Sequence, residues 1–203
     1  MASENSEYWD SVYRSKGDRE VSWFEERPEL SLSLIRQAGA DRSASVIDIG
    51  GGASRLVDAL VEDGQSHVAV LDLSATALAR ARERLSGPSV DWIVADVTEW
   101  VPARRYEVWH DRAAFHFLVQ AEQQQAYVER LKLAVPSGGK IVIGTFAPDG
   151  PEKCSGLPVA RHDSASLQSI LGEGFTLISG RRYDHVTPWQ STQHFQFSTF
   201  HRN

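Results

Sequence analysis

The stretch Val46-Ile47-Asp48-Ile49-Gly50-Gly51-Gly52-Ala53-Ser54-Arg55-Leu56 decides how this chain folds. Apolar residues around a single acid read as a buried strand, which three glycines then break. Leu56, Ala59, Leu60 and Asp63 follow at spacings of three and four, the pattern of an amphipathic helix. Glycine has no Cβ, so the chain turns sharply there and its backbone can approach a ligand, beside the free N–H groups that open the next helix. A strand, a glycine loop and a helix in this order form a cradle for a nucleotide cofactor.

Dinucleotide folds mark such a turn with Gly-x-Gly-x-x-Gly and an acid about 20 residues further on. Gly50 and Gly52 fit that spacing, but Arg55 stands where the motif needs a third, small residue. An NAD oxidoreductase therefore becomes a remote alternative.

The rest of the composition narrows the choice. The 203 residues are 41% hydrophobic and 24% charged, enough to bury a full core as one domain. A net charge of −6 speaks against affinity built on a nucleic-acid backbone. The first thirty residues lack an apolar export core, and no stretch approaches the length of a membrane span, so a cytoplasmic location without membrane partners is expected. The single cysteine, Cys154, excludes an intrachain disulfide and a multi-thiolate zinc site. The seven histidines include no His-x-x-x-His pair, so no metal is expected.

Outward from the loop, strands and helices alternate, which predicts a parallel sheet covered on both faces. His67–Asp72 reads as a strand, and Ser74 as the N-cap of a helix that turns Leu78, Ala81 and Leu85 inward. Val90–Asp96, Tyr106–Asp111 and Lys140–Phe146 read as further strands, with a helix over Gln123–Ala134 before the last. Pro136-Ser137-Gly138-Gly139 closes that helix. After a helix near Ser164–Leu171, the extended runs Phe175–Asp184 and Thr192–His201 read as an antiparallel pair at the sheet edge.

On these residues the chain resembles the class I S-adenosylmethionine-dependent methyltransferases, from about residue 45 to its end. The resemblance rests on Asp48-Ile49-Gly50-Gly51-Gly52, on Asp72 and Asp96 closing successive strands, and on the Pro-x-Gly-Gly turn. It implies a Rossmann-like, seven-stranded, mostly parallel α/β sheet with an antiparallel C-terminal hairpin and helices on both faces. One methyltransferase domain over 1–203 is expected, with 1–40 as a helical cap over the cofactor site and 41–203 as the catalytic core. The implied methyl donor is S-adenosyl-L-methionine, leaving as S-adenosyl-L-homocysteine.

The resemblance lays Gly50, Gly51 and Gly52 against the methionine part of that cofactor. Asp72 ends a strand on the side where open α/β sheets bind ligands, and its carboxylate can accept from both ribose hydroxyls, with Leu73 beside it. By resemblance Asp96 faces the adenine amino group and the Val97 N–H faces a ring nitrogen. Asp111 is expected at the same rim, and Tyr8, Trp9 and Trp23 in a covering N-terminus. Asp48 is expected to order the loop rather than touch ligand.

The edge Asp111-Arg112-Ala113-Ala114-Phe115-His116 bears on the methyl acceptor. Enzymes acting on adenine or glutamine nitrogens usually carry Asn/Asp-Pro-Pro-aromatic here, and that motif is absent. Asp-Arg resembles the thiopurine S-methyltransferase branch, as does Gly156-Leu157-Pro158-Val159. Tyr8-Trp9-Asp10, Tyr13, Gly17 and Trp23-Phe24 resemble the N-terminus of the citrate synthase lysine methyltransferase group, which has Asp-Lys-Gly-Thr where this chain has Asp111-Arg112-Ala113-Ala114.

The leading expectation is transfer to a small soft nucleophile, a thiol or chalcogen compound, because a thiol is partly ionised at neutral pH and a lysine is not. Protein lysine methylation is the runner-up, and a non-catalytic cofactor-binding regulator the alternative from another class. His116 is the candidate base, set against a structural histidine between Phe115 and Phe117. Arg112 is the candidate anchor for an anionic substrate or the cofactor carboxylate. Phe115, Phe146 and Cys154 are candidate substrate contacts, and the long connection 147–158 a lid or substrate wall. Oligomeric state is left open.

Overall fold

The computed structural model describes residues 4–85 and 90–203. Strands β1 (Ser45–Ile49), β2 (His67–Asp72), β3 (Val90–Val94), β4 (Val108–Arg112) and β5 (Lys140–Phe146) are joined by β8 (Phe175–Val186) and β9 (Thr192–Arg202). They form one sheet in the order β3-β2-β1-β4-β5-β9-β8. The first five run parallel, while β9 pairs antiparallel to both β5 and β8. A two-residue ribbon of β6 (Lys153–Cys154) and β7 (Leu157–Pro158) stands apart, within the connection 147–158.

Two expected strands change their limits. β3 stops at Val94, so Asp96 lies in the turn beyond it, and β4 begins at Val108 and carries on through Arg112. Tyr106 spends its backbone N–H on Ala134 O, at the end of a helix, rather than on a neighbouring strand.

Helices α1 (Glu4–Ser15), α2 (Glu29–Gln37), α3 (Leu56–Glu62), α4 (Ala75–Arg84), α5 (Ala121–Ala134) and α6 (Ser164–Leu171) flank the sheet. One face packs Ile47, Ile49, Trp109 and Ile143 against Tyr127 and Leu131 of α5 and Leu167 of α6. The other packs Val46, Val68 and Val70 against Leu32 of α2, Leu56 of α3 and Leu78 of α4. β1 is buried along its whole length, which is why it reads as an apolar run and not as an alternation. Among the described residues no helix is long and apolar enough to cross a membrane.

The register brings the reactive edge together. Ile49 pairs with Leu71 on one side and Asp111 on the other, so the glycine loop, Asp72 and Arg112 leave the sheet at one level. That is the carboxyl edge, where open parallel sheets bind ligands.

Candidate functional site

Gly50 and Gly52 hold φ of +66° and +46°, the left-handed region that side chains avoid. Space forbids a side chain as well. A Cβ on Gly50 would lie 2.5 Å from the Cβ of Ala114, and one on Gly52 would lie 2.8 Å from Tyr13 Oη and 2.9 Å from Asp72 Oδ2. The loop is therefore wedged between the β4 edge and α1, with α3 starting directly behind it.

Asp72 is 8% exposed. Its Oδ1 accepts from the Ser74 N–H at 2.7 Å, and no cation pairs with it among the described ion pairs. Burial pushes its carboxyl up to about 7, helped by the charges of Asp48 and Asp10 and opposed by backbone N–H donors of Ser74 and Gly52. A buried acceptor in this state is suited to hydroxyl donors from a ligand. Ser74 caps α4 by accepting from Ala77 N, and its own hydroxyl donates to Asp10 Oδ1 at 2.6 Å, which ties α1 to this rim. Leu73 takes part through its carbonyl, which accepts from Ser6 Oγ at 2.9 Å.

Asp48 faces the opposite side of β1 from the first core. Its Oδ1 meets His110 Nδ1 at 2.7 Å, and His110 Nε2 meets Ser31 Oγ at 2.9 Å. All three residues are buried, so the chain links α2 through β4 to the base of the glycine loop. This agrees with the ordering role expected of Asp48. The His110 and Ser31 partners leave no trace in local sequence, being 62 and 79 positions from the residues they bond.

Asp96 spends Oδ1 on Thr98, accepting from its backbone N–H at 2.8 Å and its hydroxyl at 2.6 Å. Val97 packs at the margin of the α5-side core. Asp111 turns inward: it accepts from the N–H groups of Ala114 and Phe115 and, at 2.8 Å, from Tyr127 Oη. Burial raises its carboxyl to about 6 against those donors. Phe115 lies wholly within the same core, its ring 4.8 Å from that of Tyr127. The structure thus groups Asp111 and Phe115 with Tyr127: odd positions of β4 face α5, and the 3-10 turn Phe115–Phe117 beyond the strand carries Phe115 to the same side, its N–H on Asp111.

Even positions face the other way, and Arg112 follows His110. Its Nη1 donates to Glu25 Oε2 at 2.7 Å, its Nη2 to Trp23 O at 2.5 Å, and its guanidinium lies 5.9 Å from the Phe195 ring centre. Glu25 Oε1 accepts from Tyr183 Oη at 3.2 Å and lies 3.2 Å from His185 Nδ1, while His185 Nε2 meets Ser22 O at 2.6 Å. Burial acts to raise Glu25, but the His185 hydrogen bond and the Arg112 charge outweigh it and hold the carboxyl low. Beside Arg112, Ala113 takes φ +67°, an unusual conformation for a residue with a Cβ.

His116 is fully enclosed, its ring 4.5 Å from Phe117 and 4.8 Å from Phe146, and neither nitrogen has a hydrogen-bond partner. Burial, with some repulsion from His162, drives its pKa down to about 3. The ring is neutral at pH 7 and a weak base, which fits packing better than proton abstraction. Cys154 is buried among Leu34, Phe146, Phe195 and Phe197, and burial pushes its thiol up to about 11 despite a hydrogen bond from Ser22 and nearby positive charge. A thiol so raised is inert.

The N-terminal aromatics converge over this side. Trp9 lies 5.1 Å from Phe117, 6.0 Å from Trp23 and 6.4 Å from Tyr13, ring centre to ring centre. Tyr8 stands edge-on to Trp9 and donates to Ser155 O on the connection 147–158. Beneath them a cavity of about 30 Å³ is bordered by Trp23, Ser31, Asp48, Gly50, Gly51 and Arg112. Tyr8, Trp9, Trp23, the glycines and Arg112, all expected at the site, meet in this region, together with Glu25, Tyr183 and His185, which were not expected there. Nothing local marks those three, since Glu25 meets Tyr183 and His185 across more than 150 positions and Arg112 across 87.

Residues 46–139 match the family described as methyltransferase domain. The chain is 33% identical over 99 residues to trans-aconitate 2-methyltransferase of Azoarcus sp., covering 48% of this chain and 38% of that protein. It is 24% identical over 110 residues to a malonyl-[acyl-carrier protein] O-methyltransferase of Ilyobacter polytropus, covering 53% of this chain and 40% of that protein. The chain thus spans well under two thirds of the length of these relatives. Among solved structures, the N-methyltransferase NodS of Bradyrhizobium japonicum, in complex with S-adenosyl-L-homocysteine, superposes with a TM-score of 0.72 at 16% identity, over 95% of this chain and 97% of that one.

Proposed function

We propose that this chain, which has the fold and the matched domain of the class I S-adenosylmethionine-dependent methyltransferases, is an enzyme that methylates a small molecule bearing a carboxylate. The observation that carries the acceptor class is Arg112, a nearly buried guanidinium on the cavity that Gly50 and Gly51 also border. A planar guanidinium matches a carboxylate with two parallel hydrogen bonds. The names of the curated relatives, trans-aconitate and malonyl methyltransferases, describe acidic acceptors and support the same class.

The residues present fit the cofactor. The loop backbone lies bare at Gly50 and Gly51 on the cavity, and Asp72 is a buried acceptor with no cation among the described ion pairs. In this reading Gly50, Gly51 and Gly52 receive the methionine part, Asp72 and Leu73 the ribose, and Asp96 and Val97 the adenine. S-Adenosyl-L-methionine, when bound, supplies an electrophilic methyl group on a sulfonium, and the sulfur takes back the bonding electrons as the thioether S-adenosyl-L-homocysteine. Of the expected cap over 1–40, α1 and the chain up to residue 27 act as the cap, while α2 belongs to the layer packed on the sheet. Small-molecule sites run to about 300–1,000 Å³, so the 30 Å³ cavity that Trp23 borders opens to admit ligands.

Arg112 positions the acceptor, and the aromatic wall of Trp9, Trp23 and Phe117 excludes water. An oxygen of the acceptor forms the new bond to carbon as the sulfur–carbon bond breaks. A carboxylate is already ionised at neutral pH, so no base has to move a proton. That suits an edge where His116 is enclosed and weakly basic. The same fact supports a thiol or chalcogen acceptor as the second reading, since a thiol ionises in part without help. It counts against a lysine amine, which must first lose a proton.

A turnover screen of carboxylic acids, thiols and amines, read as S-adenosyl-L-homocysteine release, tests this. Turnover with carboxylic acids and formation of their methyl esters is the expected result. Turnover confined to thiols would replace the acceptor class, and binding of the cofactor without turnover would favour a regulator.

A further inference from the structure

We propose that Glu25 is an internal stand-in for the acceptor: its carboxylate occupies Arg112 in the closed chain, and an incoming acceptor carboxylate displaces it. The inference rests on the carboxylate reading above and deepens it.

Three observations carry it. First, Arg112 offers Nη1 and Nη2 to two oxygens from one short segment, Glu25 Oε2 at 2.7 Å and Trp23 O at 2.5 Å. Two terminal nitrogens meeting two oxygens is the fork geometry with which arginine binds a single carboxylate. Second, the pair is nearly enclosed, with side-chain exposures of 12% and 14%, at the cavity that Trp23 and Arg112 share with the glycine loop. An ion pair there is not a solvated surface contact.

Third, Glu25 keeps other partners when it leaves Arg112. Tyr183 Oη donates to Oε1, and His185, whose Nε2 meets Ser22 O, brings Nδ1 to the same oxygen. All of these sit on β8 or on the segment itself, so the carboxylate can swing toward β8 without becoming an unpaired buried charge. Such a charge would otherwise make release costly.

Residues Ser22–Glu25 therefore form a strap, held to the core by the group that the acceptor needs. An acceptor without a carboxylate cannot release it, and Glu25 becomes a specificity-determining residue for the reaction. Tyr183 and His185 are positioning residues that act through Glu25.

Calorimetric titration of trans-aconitate into the full chain loaded with S-adenosyl-L-homocysteine tests the exchange, using wild type, E25Q, Y183F and R112Q, each first checked to unfold cooperatively well above the titration temperature. Removing the internal rival in E25Q tightens the probe about tenfold, roughly the worth of one charge-assisted hydrogen bond. Y183F, which leaves both members of the pair in place and removes only one β8 partner of Glu25, weakens the probe, because the displaced carboxylate then has fewer places to go. R112Q weakens it about tenfold or more by the same reckoning, and the neutral trimethyl ester gains nothing from E25Q.

Equal affinity of wild type and E25Q would overturn the proposal and leave the carboxylate reading standing, as long as methyl esters still form in the turnover screen. Absence of binding in all four proteins would overturn it too, since an Arg112 freed of Glu25 has to accept a carboxylate. The carboxylate reading fails separately, when no carboxylic acid is methylated.

Discussion

His110 Nδ1 and Asp48 Oδ1 meet at 2.7 Å across the parallel pair β4 and β1, both side chains sealed from solvent. The bond stands directly beneath the glycine loop, so it couples the packing of two strands to the shape of the loop. Replacing His110 by Phe keeps the volume roughly but leaves a buried carboxylate short of its donor. Stability should fall by about 1–3 kcal/mol, the cost of an unmet buried acceptor, with weaker S-adenosyl-L-homocysteine binding. Urea unfolding of the two proteins measures it, and an unchanged midpoint would show that the pair contributes nothing.

Asp72 gives a pH signature. Its carboxyl is raised in the fold to about 7 from 3.8, so the folded chain holds this proton more tightly than the unfolded chain. The stability this contributes is present below the unfolded value and is lost as pH rises through the folded one. Hydroxyl donors need the ionised acceptor, so affinity for S-adenosyl-L-homocysteine should rise with pH and level off above about 7, changing up to tenfold per unit below it. Calorimetry from pH 5.5 to 8 reads this directly. A flat profile in wild type, matching that of Asp72→Asn, would remove Asp72 from the ribose contact.

Two glycines separate strain from contact. Gly52→Ala meets both the left-handed backbone and the Tyr13 hydroxyl 2.8 Å away, whereas a methyl group on Gly138 (φ +88°) would have nothing within 4 Å of it. Each substitution should cost about 1–2 kcal/mol for the backbone alone. Only Gly52→Ala should also lose cofactor affinity. Equal affinities in the two variants would mean that the loop does not touch the ligand.

His116 bears on acid stability. Its pKa falls in the fold to about 3 from 6.5, so the unfolded chain takes up this proton first. The stability from burying it neutral is present above pH 6.5 and is lost as pH falls toward 3, by about 3 kcal/mol near pH 4. His116→Phe should be the more acid-resistant protein, with kcat unchanged at neutral pH. A collapse of kcat with intact folding would restore a catalytic role for this ring.

The glycine loop was legible in the sequence because its evidence is local: an apolar run, three glycines, then a helical period. The same holds for Ser74 as a cap and for the closing hairpin, β8 with β9. The ends of β3 and β4 were less legible, since Ala95 and Asp96 look like strand continuation, and Tyr106 is apolar enough to be one. What stops β3 is the Asp96 carboxylate, which bonds Thr98 and bends the chain, a competition between side chain and ladder that period alone does not display.

The amino-acid sequence by itself carried the alternation that builds the parallel sheet and the strand, glycine loop and helix of a nucleotide-cofactor cradle, because each follows from spacing within a few residues; the adenosyl cofactor came from the resemblance to a family. Only the tertiary structure decided what the acceptor edge does. Parity along β4 sends Asp111 into the core with Tyr127 and brings Arg112 out beside the glycine loop, and it is pairing with neighbouring strands that sets that parity. Folding then carries Glu25 from the N-terminus and His185 from β8 onto one ion pair, over a chain separation of 160 positions. Contacts of that range arise from how sheet and cap close on one another, and no local pattern of residues encodes them.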